Sequence, residues 1–251
     1  MSAELVLYHG MASTCSKKVR LALYEKGISF ESRLLDLQKF EQHTPEYLNL
    51  NPNGVVPTLV HDGRPIIESS IIIEYIEDAF PQVPLAPADR WALAQMRLWL
   101  KFSDNVAYNA VYAPTWKILS KRAGDQLSDE NIQKVLERIP TKERRERWES
   151  VAREGFSEKE MQDAYDKMVQ CLEKIEAAVA QGPWLVGEIY SLADIAMIPF
   201  IDRIRNLRPE FLDELKYPGV NRWERALRAR PAFDKAFNFR DDPRARELPN
   251  M

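Results

Sequence analysis

Hydrophobic and polar positions follow two different patterns along the chain. The first 80 residues alternate short apolar runs with stretches in which apolar residues recur every three or four positions. Beyond residue 90, long helical repeats dominate and charged stretches separate them. Short apolar runs bounded by turn residues predict strands, and a helical period predicts helices. The pattern therefore predicts an α/β domain followed by an all-α domain.

The first part of the chain predicts the order βαβ followed by ββα. Glu4–Tyr8 is a short apolar run, and Ser16–Glu25 is an amphipathic stretch that Gly27 ends. The later elements are a strand, a hairpin closed by Asp-Gly and a helix with isoleucines on its inner face: Ile28–Leu35, Thr58–His61 with Arg64–Ile67, and Ser69–Ala79. A βαβ unit forms a parallel pair, and a hairpin adds an antiparallel edge. We expect a small mixed sheet with helices packed against it.

Three prolines in the segment 80–89 divide the chain. Each proline lacks a backbone N–H and fixes φ, so neither a helix nor a central strand can pass through the segment. We expect one domain at 1–80, a linker at 81–89 and a helical domain at 90–251. The predicted helices of the second domain are Arg90–Tyr112, Ser128–Ile139, Ser157–Ala180, Ser191–Arg205 and Asn221–Ala229.

Two polar patterns in the second domain have structural explanations. Ser191-Leu192-Ala193-Asp194 resembles a capping box, in which Ser191 accepts a hydrogen bond from the N–H three residues later and Asp194 replaces the usual Glu or Gln. Lys142–Arg153 mixes both signs of charge at helical spacing, which favours a solvated helix face over a phosphate-binding patch. Neither pattern by itself indicates a functional site.

Composition excludes several classes of function. The 251 residues are 45% hydrophobic and 29% charged, which is typical of a globular protein. With 35 Lys and Arg against 38 Asp and Glu, the net charge of -3 gives no overall attraction to nucleic acid or anionic lipid. No apolar run approaches the roughly 20 residues that span a bilayer. We therefore expect neither nucleic acid nor a membrane as a partner.

The two cysteines also restrict the possibilities. Cys15 and Cys171 lie far apart and match neither a disulfide framework nor the spacing of zinc ligands. The first residues carry no basic stretch followed by an apolar one, as an export signal would. We expect a cytoplasmic protein without a bound metal.

The loop between the first strand and the first helix carries the strongest candidate chemistry. A helix N-terminus presents unpaired N–H groups and the positive end of the helix dipole, so it stabilises an anion such as a thiolate. Ser13 lies where that field is strongest, and its hydroxyl can donate to the sulfur of a ligand or can serve only as a helix N-cap. Cys15 competes for the same role, because a cysteine at a helix start gains thiolate character and can form a mixed disulfide. A buried, inert thiol is the alternative for Cys15.

Two further loops offer backbone groups to a ligand. The sequence Val55-Val56-Pro57-Thr58 can hold a cis peptide that exposes the backbone N–H and C=O of Val56, although trans is the default. Glu68-Ser69 opens a helix, where Ser69 can cap the helix and its N–H can receive a second anion such as a carboxylate. Capping alone also explains Ser69.

Together these features resemble the glutathione transferase superfamily. Besides the element order, the residues that carry the resemblance are Tyr8 with Ala12-Ser13-Thr14, Asn51-Pro52-Asn53-Gly54-Val55-Val56-Pro57, Glu68-Ser69 and Ser191-Leu192-Ala193-Asp194. Ala12-Ser13-Thr14 is similar to the phi class of serine enzymes. Bacterial β-aryl etherases, which open lignin-derived ethers, are similar at Tyr24-Glu25-Lys26-Gly27, Lys39-Phe40-Glu41-Gln42-His43, His61-Asp62-Gly63 and from Trp148 to Phe156.

The resemblance implies a thioredoxin-like domain that binds glutathione as co-substrate, a helical domain that supplies the acceptor pocket, and a homodimer. It places Ser13 at the catalytic position, where the hydroxyl stabilises the glutathione thiolate. Etherase relatives can carry a serine aligned with Ser16 instead, so Ser13, Cys15 and Ser16 all stay candidates for the neighbour of the sulfur. The other implied positions are Gln42 and His43 for the glycine carboxylate, Val56 and a cis Pro57 for the cysteinyl part, and Glu68 and Ser69 for the γ-glutamyl end.

Aromatic residues at helical spacing form the candidate acceptor pocket. Tyr108, Tyr112 and Trp116 can stack on an aromatic substrate, although an ordinary interdomain core explains them equally well. Met11 lies beside the proposed thiolate and can line the same pocket. The sequence therefore predicts a glutathione transferase whose thiolate attacks a hydrophobic, aromatic electrophile, with β-aryl ether cleavage as one such reaction. A Cys15-dependent glutathione exchange enzyme and a non-catalytic ligand-binding homologue are the alternatives.

Overall fold

A computed structural model describes residues 5–124, 133, 136–248 and 250 of the chain. Its sheet has four strands in the order β2-β1-β3-β4. The strands are β1 Leu5–Gly10, β2 Glu31–Leu35, β3 Thr58–His61 and β4 Arg64–Ile66. Strand β1 runs parallel to β2 and antiparallel to β3, which pairs antiparallel with β4. The expected mixed sheet is therefore confirmed.

Three helices accompany the sheet: α1 Thr14–Glu25, α2 Pro45–Leu48 and α3 Ser69–Ala79. On α3, Ile72, Ile73 and Ile76 are buried against the sheet, as their spacing predicts. In the hairpin, Asp62 and Gly63 have φ values of 48° and 76°, the left-handed pair that a tight turn between right-twisted strands requires. The βαβ–ββα order is thus formed by the elements that the sequence predicts, and the one-turn helix α2 between β2 and β3 is an addition that the sequence does not predict.

Strand β2 begins three residues later than the predicted Ile28. The N–H of Ile28 donates to the carbonyl of Leu23 at 2.9 Å, and Gly27 has a positive φ of 65°. This is the hydrogen bonding of a helix C-terminus closed by a left-handed glycine. Because Ile28 is held to the end of α1, the chain joins the sheet only at Glu31.

The rest of the described chain is helical. Its helices are α4 Arg90–Phe102, α5 Tyr108–Gly124, α6 Lys142–Glu154, α7 Glu158–Val179, α8 Leu192–Leu207, α9 Pro218–Arg228 and α10 Pro231–Phe237. All residues of the predicted helix Arg90–Tyr112 are helical, with a π turn at Ser103–Ala107 between α4 and α5, but the prediction ends too early because α5 continues to Gly124. The predicted helix Ser128–Ile139 lies mostly outside the described residues. Helix α10 was not predicted from the sequence.

Two N-terminal caps fix the start of long helices. Ser191 and Asp194 form the predicted capping box of α8, and the same arrangement at Ser157 and Glu160 begins α7. Helix α8 is buried from Leu192 to Ile204, so it forms the centre of the helical domain. No helix within the described ranges is both long and apolar enough to cross a membrane.

Helix α1 connects the sheet domain to the helical domain. It packs against α3 on one side and against α8 and α10 on the other. Its residues from Ser16 to Leu23 are all buried. Three of its charged side chains pair across the domains: Lys17 with Asp202, Lys18 with Asp104, and Glu25 with Arg230.

Residues 238–248, here called the C-terminal segment, return to the edge of the sheet. Asp241 accepts a hydrogen bond from the Tyr24 hydroxyl at 2.6 Å. Arg244 donates to the carbonyl of Leu34 at 2.7 Å, next to the end of β2. The C-terminal segment therefore lies beside the loop that follows β1, where the candidate site is.

Candidate active site

The loop between β1 and α1 presents a helix N-terminus at the carboxyl end of β1. Ser13 is the N-cap of α1, with φ and ψ of -70° and 122°, and its Oγ accepts from the N–H of Ser16 at 3.2 Å. This confirms the capping role of Ser13. The residue keeps partial exposure, so its hydroxyl hydrogen can still reach a ligand at the positive end of the helix. A contact with sulfur stays a prediction.

The hydroxyl of Ser16 is turned into the protein. Ser16 is fully buried, and its Oγ accepts from the N–H of Gly10 at 3.1 Å. That hydrogen bond ties the end of β1 to the first turn of α1. Of the two serines, Ser13 is therefore the better placed to meet a ligand.

Cys15 lacks the thiolate character that its position at a helix start suggests. The protein packed around its thiol raises its pKa, although Lys18 and the hydroxyl of Ser69 oppose the shift. A thiol with a raised pKa is a poor nucleophile at neutral pH. This weighs against the exchange enzyme in which Cys15 reacts with glutathione. Cys171, the other free cysteine, is buried and burial raises its pKa to about 12.

A second loop lies beside Ser13 because of strand pairing. Tyr8 on β1 is opposite Thr58 on β3, so the residues after Tyr8 and those before Thr58 lie at the same end of the sheet. The peptide between Val56 and Pro57 is cis. The carbonyl of Val55 accepts from Tyr47 at 2.5 Å and from Asn51 at 2.8 Å. These two side chains anchor the loop while Val56 stays partly exposed.

The residue at the N-cap of α3 is not Ser69, for which the sequence predicted that role. Glu68 holds the cap position with a positive φ of 67°, and its side chain makes no cap hydrogen bond. Ser69 is the first residue of the helix and is buried, with its hydroxyl beside the Cys15 thiol. The prediction that Ser69 caps α3 is therefore wrong, because the chain enters the helix one residue earlier. A left-handed, non-glycine residue such as Glu68 is strained and typical of functional sites.

Gln42 and His43 lie on a 3₁₀ turn, Glu41–His43. The Oε1 atom of Gln42 is buried and has no hydrogen-bond partner within the part of the chain that the structure describes. His43 stacks on Phe40 at a centroid distance of 5.8 Å, and Phe40 meets Trp148 of α6 edge-on at 5.7 Å. Helix α6 therefore covers the turn that carries both predicted residues. An orphaned amide oxygen fits a ligand that donates an N–H group.

The predicted aromatic residues form a continuous row on α5. The ring centroids of Tyr108 and Tyr112 are 5.7 Å apart, and those of Tyr112 and Trp116 are 6.2 Å apart. Phe156, which follows α6, meets Tyr112 at a right angle and 6.1 Å. All four side chains keep partial exposure, so they form a wall rather than a closed core.

Met11 lies in a different cluster from this aromatic row. It packs with Leu34, Phe239 and Ala245. It also lines a cavity of about 350 Å³ whose other walls belong to the C-terminal end of the chain: Asn238, Phe239, Arg240, Ala245, Arg246 and Asn250. The structure thus gives Met11 a contact with the C-terminal segment that the sequence did not predict.

Buried cations lie behind the loop that carries Ser13. Burial lowers the pKa of Lys17 to about 8, although Asp202 opposes the shift. Lys18 is fully buried and donates to Asp104 at 3.1 Å. Arg20 and Arg203 are also buried. The sequence does not single out either arginine, because each lies among apolar residues of a predicted helix and no local signal marks it as buried. Within the described ranges, no three His, Cys, Asp or Glu side chains converge on a metal position.

Two family models match this chain. The model for the N-terminal domain of glutathione S-transferase matches residues 7–84, and the model for the C-terminal domain matches residues 142–226. Together they cover more than half of the chain, and their order agrees with the sheet domain and the helical domain. The chain belongs to the glutathione S-transferase family, as the resemblance predicts.

Among its relatives is Protein LigF of Sphingobium sp. (strain NBRC 103272 / SYK-6), 34% identical over 239 residues that cover 93% of each chain. The crystal structure of beta-etherase LigF from the same strain has a TM-score of 0.86, with 33% identity, and covers 93% of this chain and 98% of that one. Glutathione transferase F7 from Populus trichocarpa has a TM-score of 0.72 at 23% identity, over 92% of this chain and 97% of that one. The last likeness shows the fold alone.

Proposed function

We propose that this glutathione transferase cleaves β-aryl ethers. The observation that carries the proposal is the likeness to beta-etherase LigF, which extends over 93% of this chain at a TM-score of 0.86. It therefore includes both the sheet domain and the helical domain. The partly exposed aromatic row on α5 supports the same substrate class, because aromatic rings stack favourably on aromatic ligands.

Features of the site support glutathione as the co-substrate. The tripeptide offers N–H donors, a thiol and two carboxylates. The orphaned Oε1 of Gln42 fits an N–H donor, and the start of α1 fits a thiolate. We propose that Gln42 and His43 hold the glycine end, that the backbone of Val56 pairs with the cysteinyl part, and that Glu68 and Ser69 hold the γ-glutamyl end.

Bound glutathione supplies the sulfur nucleophile. Ser13 donates its hydroxyl hydrogen to that sulfur, and the amides of α1 add the positive end of a helix dipole, so the negative charge is favoured. A carbon–sulfur bond forms at the β-carbon, the carbon–oxygen bond to the aryl group breaks, and an aryloxide leaves with the electron pair. The products are a glutathione thioether and a phenol, and no oxidant or reductant is consumed.

The acceptor wall is proposed to be Tyr108, Tyr112 and Trp116, extended by Phe156. A well-placed aromatic pair contributes about 0.5–1.5 kcal/mol beyond its burial. Met11 joins this pocket only if the acceptor reaches the C-terminal segment. The helical domain would thus supply the substrate selectivity, and the sheet domain the nucleophile.

A fluorogenic assay tests the reaction. The purified protein is incubated with glutathione and a β-aryl ether whose leaving group is a fluorescent coumarin phenolate, and mass spectrometry detects the thioether. We expect both products in equal amounts. If the protein conjugates 1-chloro-2,4-dinitrobenzene but releases no phenolate, it is a glutathione transferase of another specificity. If calorimetry finds no glutathione binding, the whole site assignment is wrong.

A second experiment separates the two roles of Ser13. Ser13→Ala removes the cap and the donor, so we expect about 1 kcal/mol less stability and a bound-thiol pKa raised by about one unit or more. Ser13→Gly removes the donor without adding a charge and costs only about a few tenths of a kcal/mol at an N-cap, so stability largely returns while the thiol pKa stays high. Ser157→Ala is the matched control, since its Oγ also accepts from an N-terminal amide at 3.2 Å. An unchanged thiol pKa in Ser13→Ala would remove the donor role.

We also propose a cytoplasmic homodimer. Large apolar side chains are exposed on adjoining helices, Ile71 on α3 and Trp91 and Leu98 on α4. Trp91 and Leu98 are seven residues apart and therefore share one helix face. Both cysteines are free, which suits a reducing compartment. Light scattering should give twice the chain mass of 29.1 kDa, and Trp91→Glu should give the single mass.

A further inference from the structure

Three successive carbonyls before Ser13 are held by buried guanidinium groups. Arg20 donates to the carbonyl of Gly10 and to that of Met11, each at 3.1 Å. Arg203 donates to the carbonyl of Ala12 at 2.5 Å. Arg20 belongs to α1 and Arg203 to α8, so the loop is held from both domains. We call this arrangement the guanidinium clasp.

Arg20 is buried without a carboxylate. The residue is fully buried, and no Asp or Glu oxygen of the described residues lies within the 4.0 Å of an ion pair. Its remaining hydrogen bonds run to the carbonyl of Ala236 at 2.7 Å and to Nδ1 of His9 at 3.0 Å. Burying a charge against neutral acceptors alone is costly. The position of Arg20 is therefore explained by what it holds rather than by an ion pair.

A line of hydrogen bonds runs from Arg20 through His9 and Ser32 to the C-terminal segment. Each hydrogen in this line is donated toward that segment. Arginine has no acceptor, so Nδ1 of His9 must accept and its Nε2 must carry the hydrogen. Nε2 then donates to the Ser32 hydroxyl at 2.9 Å, and that hydroxyl donates to Asp242 at 2.8 Å. Burial and Arg20 lower the pKa of His9, which keeps the ring neutral as this order requires. The chain of donors ends on the C-terminal segment.

We propose that Arg20 is a positioning residue for Ser13, and that it makes the geometry of the Ser13 loop depend on the docked C-terminal segment. A trans peptide directs its N–H opposite to its carbonyl. With the carbonyls of Gly10 and Met11 drawn to Arg20, the next two N–H groups point away from the guanidinium. The clasp thus fixes the peptide planes that lead into the N-cap. This inference rests on the proposed role of Ser13 in glutathione activation.

Arg20→Lys tests the clasp, because one ammonium cannot reach the four acceptors of a guanidinium. We expect a bound-thiol pKa raised by about one unit and a kcat with 1-chloro-2,4-dinitrobenzene reduced about tenfold or more. The Kd for S-methylglutathione, which has no thiol proton to lose, should change less than about threefold, since its other contacts are unchanged. Arg230→Lys is the matched control, a change that loosens the pair with Glu25 and should leave the thiol pKa unchanged.

Asp242→Asn tests the link to the C-terminal segment, and it alters a partly exposed side chain that is not needed for the core. Asp242 accepts from the Ser32 hydroxyl with one oxygen and from the N–H of Arg244 with the other. Asn has a single acceptor oxygen, so one of these two hydrogen bonds must be lost. We expect a smaller rise of the thiol pKa in the same direction. This variant also serves if Arg20→Lys does not fold.

Three results would overturn the proposal or part of it. A folded Arg20→Lys protein with the wild-type thiol pKa and kcat rejects the positioning role. An altered Arg20→Lys with an unaltered Asp242→Asn rejects the dependence on the C-terminal segment. Equal effects of Arg20→Lys and Arg230→Lys on the thiol pKa would show that the clasp contributes only to the general stability of the protein. A wild-type protein that binds no glutathione rejects the proposed function instead, and that outcome is distinct.

Discussion

Replacement of Asp194 by alanine should destabilise the protein severely. The carboxylate is fully buried and accepts from the N–H of Leu185 at 3.0 Å, the N–H of Ser191 at 3.0 Å and Nε1 of Trp223 at 2.8 Å. Burial raises the pKa of Asp194 to about 6 even though these donors oppose the shift. Asp194→Ala leaves three buried donors without an acceptor, at about 1–3 kcal/mol each. We expect a loss of at least about 3 kcal/mol out of a total of roughly 5–15 kcal/mol.

Urea unfolding followed by tryptophan fluorescence at fixed protein concentration measures the loss. With an m value of about 2–3 kcal/mol/M, the midpoint should fall by about 1 M or more. Asp213→Ala is the matched control, because Asp213 also accepts a backbone N–H, from Leu215 at 2.8 Å, but on an exposed surface. Its midpoint should barely move. If Asp194→Ala loses less than about 1 kcal/mol, the reasoning that buried donors need a fixed acceptor is wrong.

Three further predictions concern the site. Burial and Arg20 hold the pKa of His9 below 6.5, so below pH 6.5 the unfolded chain binds a proton that the folded chain does not, and stability should fall by up to about 1.4 kcal/mol per pH unit. Urea unfolding at several pH values should show a flatter dependence of stability on pH in His9→Gln. Equal pH dependence in the two proteins would contradict this. With oxidised glutathione, mass spectrometry should find no adduct on Cys15 at neutral pH, because its pKa is raised; an adduct would revive the exchange reaction. Gly54→Ala should weaken glutathione binding in calorimetry, because Gly54 has a φ of +60° and an added Cβ would lie 2.7 Å from the ring of His43; unchanged affinity would show that the His43 turn takes no part in binding.

The sequence predicted those elements whose deciding residues lie close together in the chain. The hairpin follows from Asp62-Gly63, the caps of α1 and α8 from Ser13 and Ser191, and α3 from the spacing of its isoleucines. In each case the residues that decide the structure lie within one turn of one another. The predicted order of strands and helices therefore agrees with the structure.

Tertiary contacts explain what the sequence did not predict. Helix α1 reads as amphipathic, but it is buried on both sides because the sheet domain and the helical domain both pack against it. The cations Lys18 and Arg20 are therefore interior groups, although a helical period assigns them to solvent. The C-terminal segment carries no repeat at all, and its position depends on partners more than 200 residues away, such as Ser32 and Leu34.

The ion pairs of α1 have a consequence for the modularity of this protein. A fragment that stops at the proline-rich segment keeps Lys17, Lys18 and Glu25 but loses Asp202, Asp104 and Arg230. The fragment also opens to water the apolar core that the two domains share, which loses the stabilisation of buried apolar surface, so such a fragment should not fold alone. A chimera that exchanges the helical half with that of another family member needs the same three counter-charges at the same places. The two halves must therefore be inherited, and engineered, as one unit.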